Sequence, residues 1–278
     1  MSLAFTKLEG AGNDFVLLDT LDQPGDIDAD LARRLSDRRR GIGADQILLL
    51  EAGQQTRFAY RILNSDGSVA GQCGNGARCI ALYLRRRYGL PAQFDMESPG
   101  GLVQVDASEA LRPSVSLGVP NFAASSLPTT WQIDRTEGRL NLLGHSYRAC
   151  LLSLGNPHVV LQVDDVARAP LAELAAVLQG DLEHFPQGCN VGVVAVQDRQ
   201  RAQLRVHERG AGETLACGSG ACAALVAAVR RGLVGGRATL ELDGGELDIA
   251  WDGDGPVVMT GPVARVFAGV IELMDMVA

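Results

Sequence analysis

Basic charge is in short supply: 25 lysines and arginines stand against 33 aspartates and glutamates, for a net charge of −8 and a pI near 5.0. So acidic a chain lacks the positive surface that nucleic acid or an anionic membrane needs, and neither is expected as a partner. The two arginine runs, Arg38-Arg39-Arg40 and Arg85-Arg86-Arg87, fall where helices are expected to end, and there cations complement the macrodipole. Long apolar runs are missing too. Nowhere do about 18 apolar residues follow one another, and the opening 15 residues hold no basic stretch ahead of an apolar core. A cytoplasmic protein without a membrane span is expected. Histidine is rare, with four in the chain, and the six cysteines (73, 79, 150, 189, 217, 222) never form a C-x-x-C pair. No metal site is expected, and in a reducing compartment the thiols should be free. A G-K-[ST] motif and a complete G-x-G-x-x-G with its acidic partner are also absent, which argues against a P-loop or a dinucleotide site.

What the chain does have is a short motif written twice. Cys73-Gly74-Asn75-Gly76-Ala77 returns as Cys217-Gly218-Ser219-Gly220-Ala221, 144 positions later. The same offset takes Gln46 to Asn190, Arg61 to Arg205 and Asn64 to Glu208; with one residue of slippage, Gly12-Asn13 falls on Gly155-Asn156 and Phe15-Val16 on His158-Val159. With 278 residues and 46% hydrophobic composition the chain can build two ordinary cores. Two homologous halves with one site between them are expected. The Pro/Ser/Thr/Ala-rich segment from Val119 to Thr130 is the candidate crossover.

Local patterns agree with a repeat. Phe58, Tyr60 and Ile62 alternate with Arg57, Ala59 and Arg61 and lead to Asn64; Ala202, Leu204 and Val206 alternate in the same phase and lead to Glu208. Strands are also expected at 3 to 8, 14 to 19, 47 to 50, 147 to 154, 158 to 163 and 191 to 196, and in short pieces over 95 to 119 and 237 to 260. Helices are expected from Asp28 to about Arg40, from Ala77 to Gly89, from Pro170 to Gly180 and from Ala221 to Gly232. Mostly strands with a few long helices in two similar halves define an α+β architecture of two pseudo-symmetric domains, each a mostly antiparallel sheet wrapped round a long helix.

Each copy of the motif puts a thiol just before a helix. There the dipole and unpaired amides favour an anion, so both thiols should ionise more readily than a free cysteine. The glycines leave the amides open, and two such helix starts could hold one carboxylate while it becomes an enediolate. If one thiolate removes an α-proton and the opposite thiol returns another, the centre inverts without a cofactor. His158 and Glu208 are candidates to set the thiols' protonation. Asn13, Gln46, Asn64, Asn156 and Asn190 sit at strand ends or turns, where polar groups can fix a ligand, and Arg209, if buried, would suit a substrate carboxylate. Cys79, Cys150 and Cys222 read as core residues.

These stretches, Gly12-Asn13-Asp14-Phe15-Val16, Gln72 to Cys79, Gly155-Asn156-Pro157-His158 and above all Glu208 to Ala221, resemble the diaminopimelate epimerases over nearly the whole chain. The resemblance implies interconversion of LL- and meso-2,6-diaminopimelate, in lysine and peptidoglycan precursor synthesis, with no cofactor (neither metal nor pyridoxal phosphate). It implies Cys73 and Cys217 as the acid/base pair, with His158 and Glu208 beside them. The amides of Gly74, Asn75, Gly218 and Ser219 would hold the reacting carboxylate; Asn13, Asn64, Asn156, Asn190 and Arg209 would hold the distal amino-acid end. It further implies a homodimer and domains of 1–119 with a C-terminal strand at about 263–278, and 120–262. Ser98-Pro99-Gly100-Gly101 and Cys189 depart from the common pattern, and Cys189 would place a third thiol near the pocket. Alternatives are a related cofactor-independent racemase, or a redox-responsive binding protein whose thiols turn nothing over.

Overall fold

The computed structural model describes residues 2–23, 27–123 and 138–273. Residues 124–130 of the expected crossover and the end of the chain from Met274 lie outside them. Two compact units emerge, Met1–Val115 with Gly261–Ala278, and Ser116–Thr260.

The first unit contains β1 (Ser2–Gly10), β2 (Asn13–Asp19), α1 (Ala29–Ser36), β3 (Gln46–Ala52), β4 (Phe58–Asn64), β5 (Val69–Ala70), α2 (Gly74–Tyr88), β6 (Gln93–Ser98), β7 (Gly101–Asp106), the start of β8 (Ser114–Ser116), and the chain's last strand, β18 (Ala264–Glu272). Its sheet runs antiparallel from β18 to β1 to β2, parallel from β2 to β3, antiparallel to β4, parallel to β6, then antiparallel to β7 and β8; β5 adds to the far end of β4. The second unit contains β9 (Arg139–Leu142), β10 (His145–Ser153), β11 (Pro157–Gln162), α3 (Leu171–Gly180), β12 (Asn190–Val196), β13 (Arg201–Glu208), β14 (Gly212–Thr214), α4 (Gly218–Arg230), β15 (Arg237–Leu242), β16 (Gly245–Ala250) and β17 (Val258–Thr260). Its strands pair in the same sequence, β9 lying against β10 as β18 lies against β1. The register repeats as well. Ile47 opposite Leu63 is answered by Val191 opposite His207, and Val105 opposite Val115 by Ile249 opposite Met259, each 144 positions on.

Each sheet curls round one helix. α2 touches β1, β2, β3, β7 and β18, and every residue of its first nine is buried; α4 touches strands from β10 to β17 and is an almost unbroken run of buried Ala, Val and Leu. A helix enclosed on all sides must be apolar all round, which explains the composition of α4. The shorter helices cover the outer faces. Leu31, Ala32 and Leu35 of α1 pack with Val16, Leu18, Ile47 and Leu49, whereas Leu171, Leu174 and Leu178 of α3 pack with Val159, Leu161, Val191 and Val193.

Two local expectations need correction. α1 ends at Ser36, not near Arg40, because the Asp37 carboxylate accepts from the Arg39 and Arg40 amides at 2.7 and 2.8 Å and turns the chain out of the helix. Arg38 is thus no helix-end cation. It pairs with Asp14 and Asp45 at 2.8 and 2.7 Å. The short strands β5, β9 and β14 were not expected, since two to four residues are too few for a period to register.

Candidate active site

Both motif cysteines are the N-cap residues of the enclosed helices. Cys73 and Cys217 have extended backbones, and their sulfurs accept the Gly76 and Gly220 amides, each at 3.4 Å. The Ala77 and Ala221 amides close the first helical turns on the cysteine carbonyls. Helix geometry gives the preceding amides, of Gly74 and Asn75 and of Gly218 and Ser219, no partner inside the helix. The second glycine of each motif serves the packing. A Cβ at Gly76 would lie 3.0 Å from Leu48 Cδ2, and one at Gly220 would lie 2.9 Å from Val206 Cγ2, so these two positions let the helix start press onto its sheet. Their absence of side chains is spent on the sheet, not on an open path for a ligand.

The strand ends bring the other candidates in beside each cap. In the first unit β2, β3 and β4 align Phe15, Gln46 and Asn64 in neighbouring rows, and Gln46 donates to Asn64 Oδ1 at 2.8 Å. The Cys73 thiol points to Asn13 Oδ1 at 3.7 Å, while the Asn13 amide donates to Asp45 at 2.8 Å. Asp45 in turn belongs to a small ionic network with Arg38, Asp14 and Lys7. Asn75 is buried, its side-chain oxygen accepting from Arg78 at 2.6 Å. Tyr60 is also buried nearby; burial, then the proximity of Cys73, holds its phenol above the ordinary range.

The equivalent rows of the second unit carry His158, Asn190 and Glu208 at the ends of β11, β12 and β13. His158 is fully buried and, for that reason, pushed down to about 3, so it is neutral near pH 7. Its Nε2 lies 2.9 Å from Asn156 Oδ1, and this carbonyl partner assigns the proton to Nε2. Asn156 then donates to Ser219 Oγ at 3.3 Å, and Ser219 Oγ lies 3.6 Å from Cys217 Sγ. A continuous polar chain thus leads from His158 to the Cys217 sulfur. Glu208 accepts from Thr214 at 2.6 Å, and Asn190 accepts the Arg209 amide at 2.9 Å.

The expectation of an easily ionised thiol fails at Cys217. Burial first, and then the Glu208 carboxylate, push this thiol well above its ordinary range, overriding the opposing pull of the Ser219 hydroxyl and the Gly220 amide. Two further residues are placed, the second against expectation. Arg209 is exposed, its guanidinium donating to the Gln187 carbonyl at 2.5 Å. Cys189, just before β12, packs inside the α3 core with Leu178, Val191 and Val193, and not beside the pocket candidates, and burial raises its thiol to about 12. Cys79, Cys150 and Cys222 are buried. Among the described residues no three His, Cys, Asp or Glu side chains group as metal ligands, and no helix is long and apolar enough to cross a membrane.

Comparison with known proteins defines first the class. The fold is the one seen in a hydroxyproline epimerase from Agrobacterium vitis, at TM-score 0.69 and 14% identity, covering 98% of this chain and 93% of that one. A predicted epimerase from Pseudomonas aeruginosa shares it at TM-score 0.70 and 18% identity, covering 97% and 99%, as does a Bacillus anthracis phenazine biosynthesis protein of the PhzF family at 0.69 and 12%, covering 98% and 100%. The family model for diaminopimelate epimerase matches residues 5–123 and 150–266. Diaminopimelate epimerases of Pseudomonas entomophila and Stutzerimonas stutzeri are 44% and 43% identical over 98% of this chain and all of theirs. The chain belongs to the diaminopimelate epimerase family and is an isomerase.

Proposed function

We propose that the protein interconverts LL-2,6- and meso-2,6-diaminopimelate by a two-base reaction of Cys73 and Cys217. One sulfur, as thiolate, takes the α-proton; the electron pair delocalises into the carboxylate as an enediolate; the other thiol then donates its proton to the opposite face. No net oxidation occurs, and each turnover leaves the two sulfurs with exchanged protonation. The observation that carries this reading is the pair of N-capping cysteines, one per repeat, each ahead of two amides without a helical partner. Those amides, of Gly74, Asn75, Gly218 and Ser219, would stabilise the carboxylate as charge accumulates on it. Glu208 and His158 would govern proton traffic at the sulfurs, His158 as a neutral group acting through Asn156 and Ser219. Asn13, Gln46, Asn64, Asn156, Asn190 and Arg209 would hold the amino groups and the distal carboxylate. We assign the catalytic halves to 1–119 with the strand near 263–278, and to 120–262, in a cytoplasmic homodimer.

The test is α-hydrogen exchange in deuterium oxide under reducing conditions, with LL-diaminopimelate set against a panel of shorter amino acids including proline. Rapid exchange on diaminopimelate alone is expected. Exchange favouring proline would assign the chain to a different racemase activity, and no exchange on any substrate would leave a binding role.

A further inference from the structure

The N-terminal ends of α2 and α4 differ in one buried charge. Arg78 is wholly buried, the largest fully buried side chain among the described residues, in the second turn of α2. A cation so near a helix N-terminus opposes the macrodipole, and a buried guanidinium is costly unless hydrogen-bonded, so its position calls for a reason. Its Nη2 donates to Asn75 Oδ1 at 2.6 Å, and its Nη1 to the Pro262 carbonyl, in the loop leading to β18, at 3.3 Å. Gly10, at the end of β1, closes on the same point: a Cβ there would sit 3.3 Å from Cys79 Sγ, 3.4 Å from the Pro262 carbonyl and 3.6 Å from that of Asn75. Arg78 also pulls the neighbouring Cys79 thiol downward against the larger effect of burial. In α4 the residue 144 positions on is Cys222, which brings no charge.

We infer that Arg78 is a positioning residue of the Cys73 turn: it locks Asn75 and the loop before β18 around the start of α2, and gives that turn a fixed positive charge. The inference rests on the reading above, in which this turn binds a carboxylate and Cys73 exchanges a proton. Two consequences follow from the geometry. Anions at the start of α2, including the Cys73 thiolate, gain from the charge, and the two Nη groups of one planar fork tie the Asn75 side chain to the Pro262 carbonyl, a geometry that a lysine ammonium does not reproduce.

The test compares Arg78→Met and Arg78→Lys with the wild type, each first checked for native circular dichroism. Iodoacetamide alkylation of Cys73 and Cys217 is followed across pH by peptide mass spectrometry, alongside KM and kcat for diaminopimelate. In Arg78→Met the Cys73 profile moves up by about one pH unit, about tenfold slower labelling near neutrality, and KM rises about tenfold or more, while the Cys217 profile stays in place. Arg78→Lys restores the Cys73 profile but leaves KM raised. If Arg78→Met does not fold, Arg78→Lys decides: a wild-type KM there overturns the inference. Unchanged Cys73 labelling in a folded Arg78→Met protein overturns it, as does an equal shift of both thiols, which a merely loosened fold would give. Should wild-type enzyme fail to turn over diaminopimelate, the proposed function falls, and the alkylation profiles still decide the role of Arg78.

Discussion

The two repeats share strand order, register and a capping cysteine, yet their equivalent rows hold different chemistry. Where the first unit lines up Phe15, Gln46 and Asn64, the second lines up His158, Asn190 and Glu208. The first unit sets its thiol against the neutral side chain of Asn13, whereas the second links its thiol to a neutral imidazole through Asn156 and Ser219 and sets a carboxylate beside it. Duplication preserved the helix start, which backbone geometry requires, while the groups that tune its charge diverged.

The comparison can be broken most severely at the sulfurs themselves. Cys73→Ala and Cys217→Ala should each lower epimerisation by about a thousandfold or more, in line with the scale of positioned acid/base catalysis; near-normal turnover in either would count against the pair. Glu208→Gln removes the carboxylate that, after burial, raises the Cys217 thiol. The Cys217 alkylation midpoint should therefore fall by about one pH unit while that of Cys73 stays put, and a rise would reverse the assigned electrostatics. Smaller effects should separate the two glycines in urea unfolding. Gly220→Ala meets the stiff Val206 and should cost about 1–2 kcal/mol, whereas Gly76→Ala meets the tip of Leu48, which can rotate, and should cost less; equal losses would show that the sheet yields alike in both repeats.

The smallest contrast near neutrality is in acid. His158 is neutral in the fold down to about pH 3, while an unfolded histidine takes its proton near 6.5. The unfolded state thus binds more protons between those values, so the contribution of His158 is complete above about pH 6.5 and is lost as pH falls toward 3, by at most about 1.4 kcal/mol per pH unit. His158→Gln should flatten that part of the stability profile, and an unchanged slope would mean that another group carries it.

Much of the fold could be read from the chain because the repeat acts twice. The alternation ending at Asn64 and the one ending at Glu208 are the same strand, and a reading weak in one copy is supported by the other. What escaped is instructive. The end of α1 depends on the Asp37 side chain competing for backbone amides, a contest that the spacing of Leu31 and Leu35 does not register. At Cys217 the helix start is legible, but the burial of the thiol and, after it, the charge of the half-buried Glu208 are tertiary effects, and together they outweigh the cap. Arg78 lies inside the motif that marked the family, yet its role could not be read because its partner Pro262 is 184 residues away. A cation in the second turn of an otherwise apolar buried helix was the available signal.

The central claim, that two different sulfurs handle the departing and the arriving proton, is tested most directly by the position of label early in the reaction. LL-diaminopimelate is incubated with the enzyme in deuterium oxide, and substrate and product are separated within the first few percent of conversion. The account predicts deuterium at the inverted centre of the meso product and almost none in recovered LL-substrate. Label accumulating in the recovered substrate as fast as in the product would mean that one group serves both faces, and would contradict it.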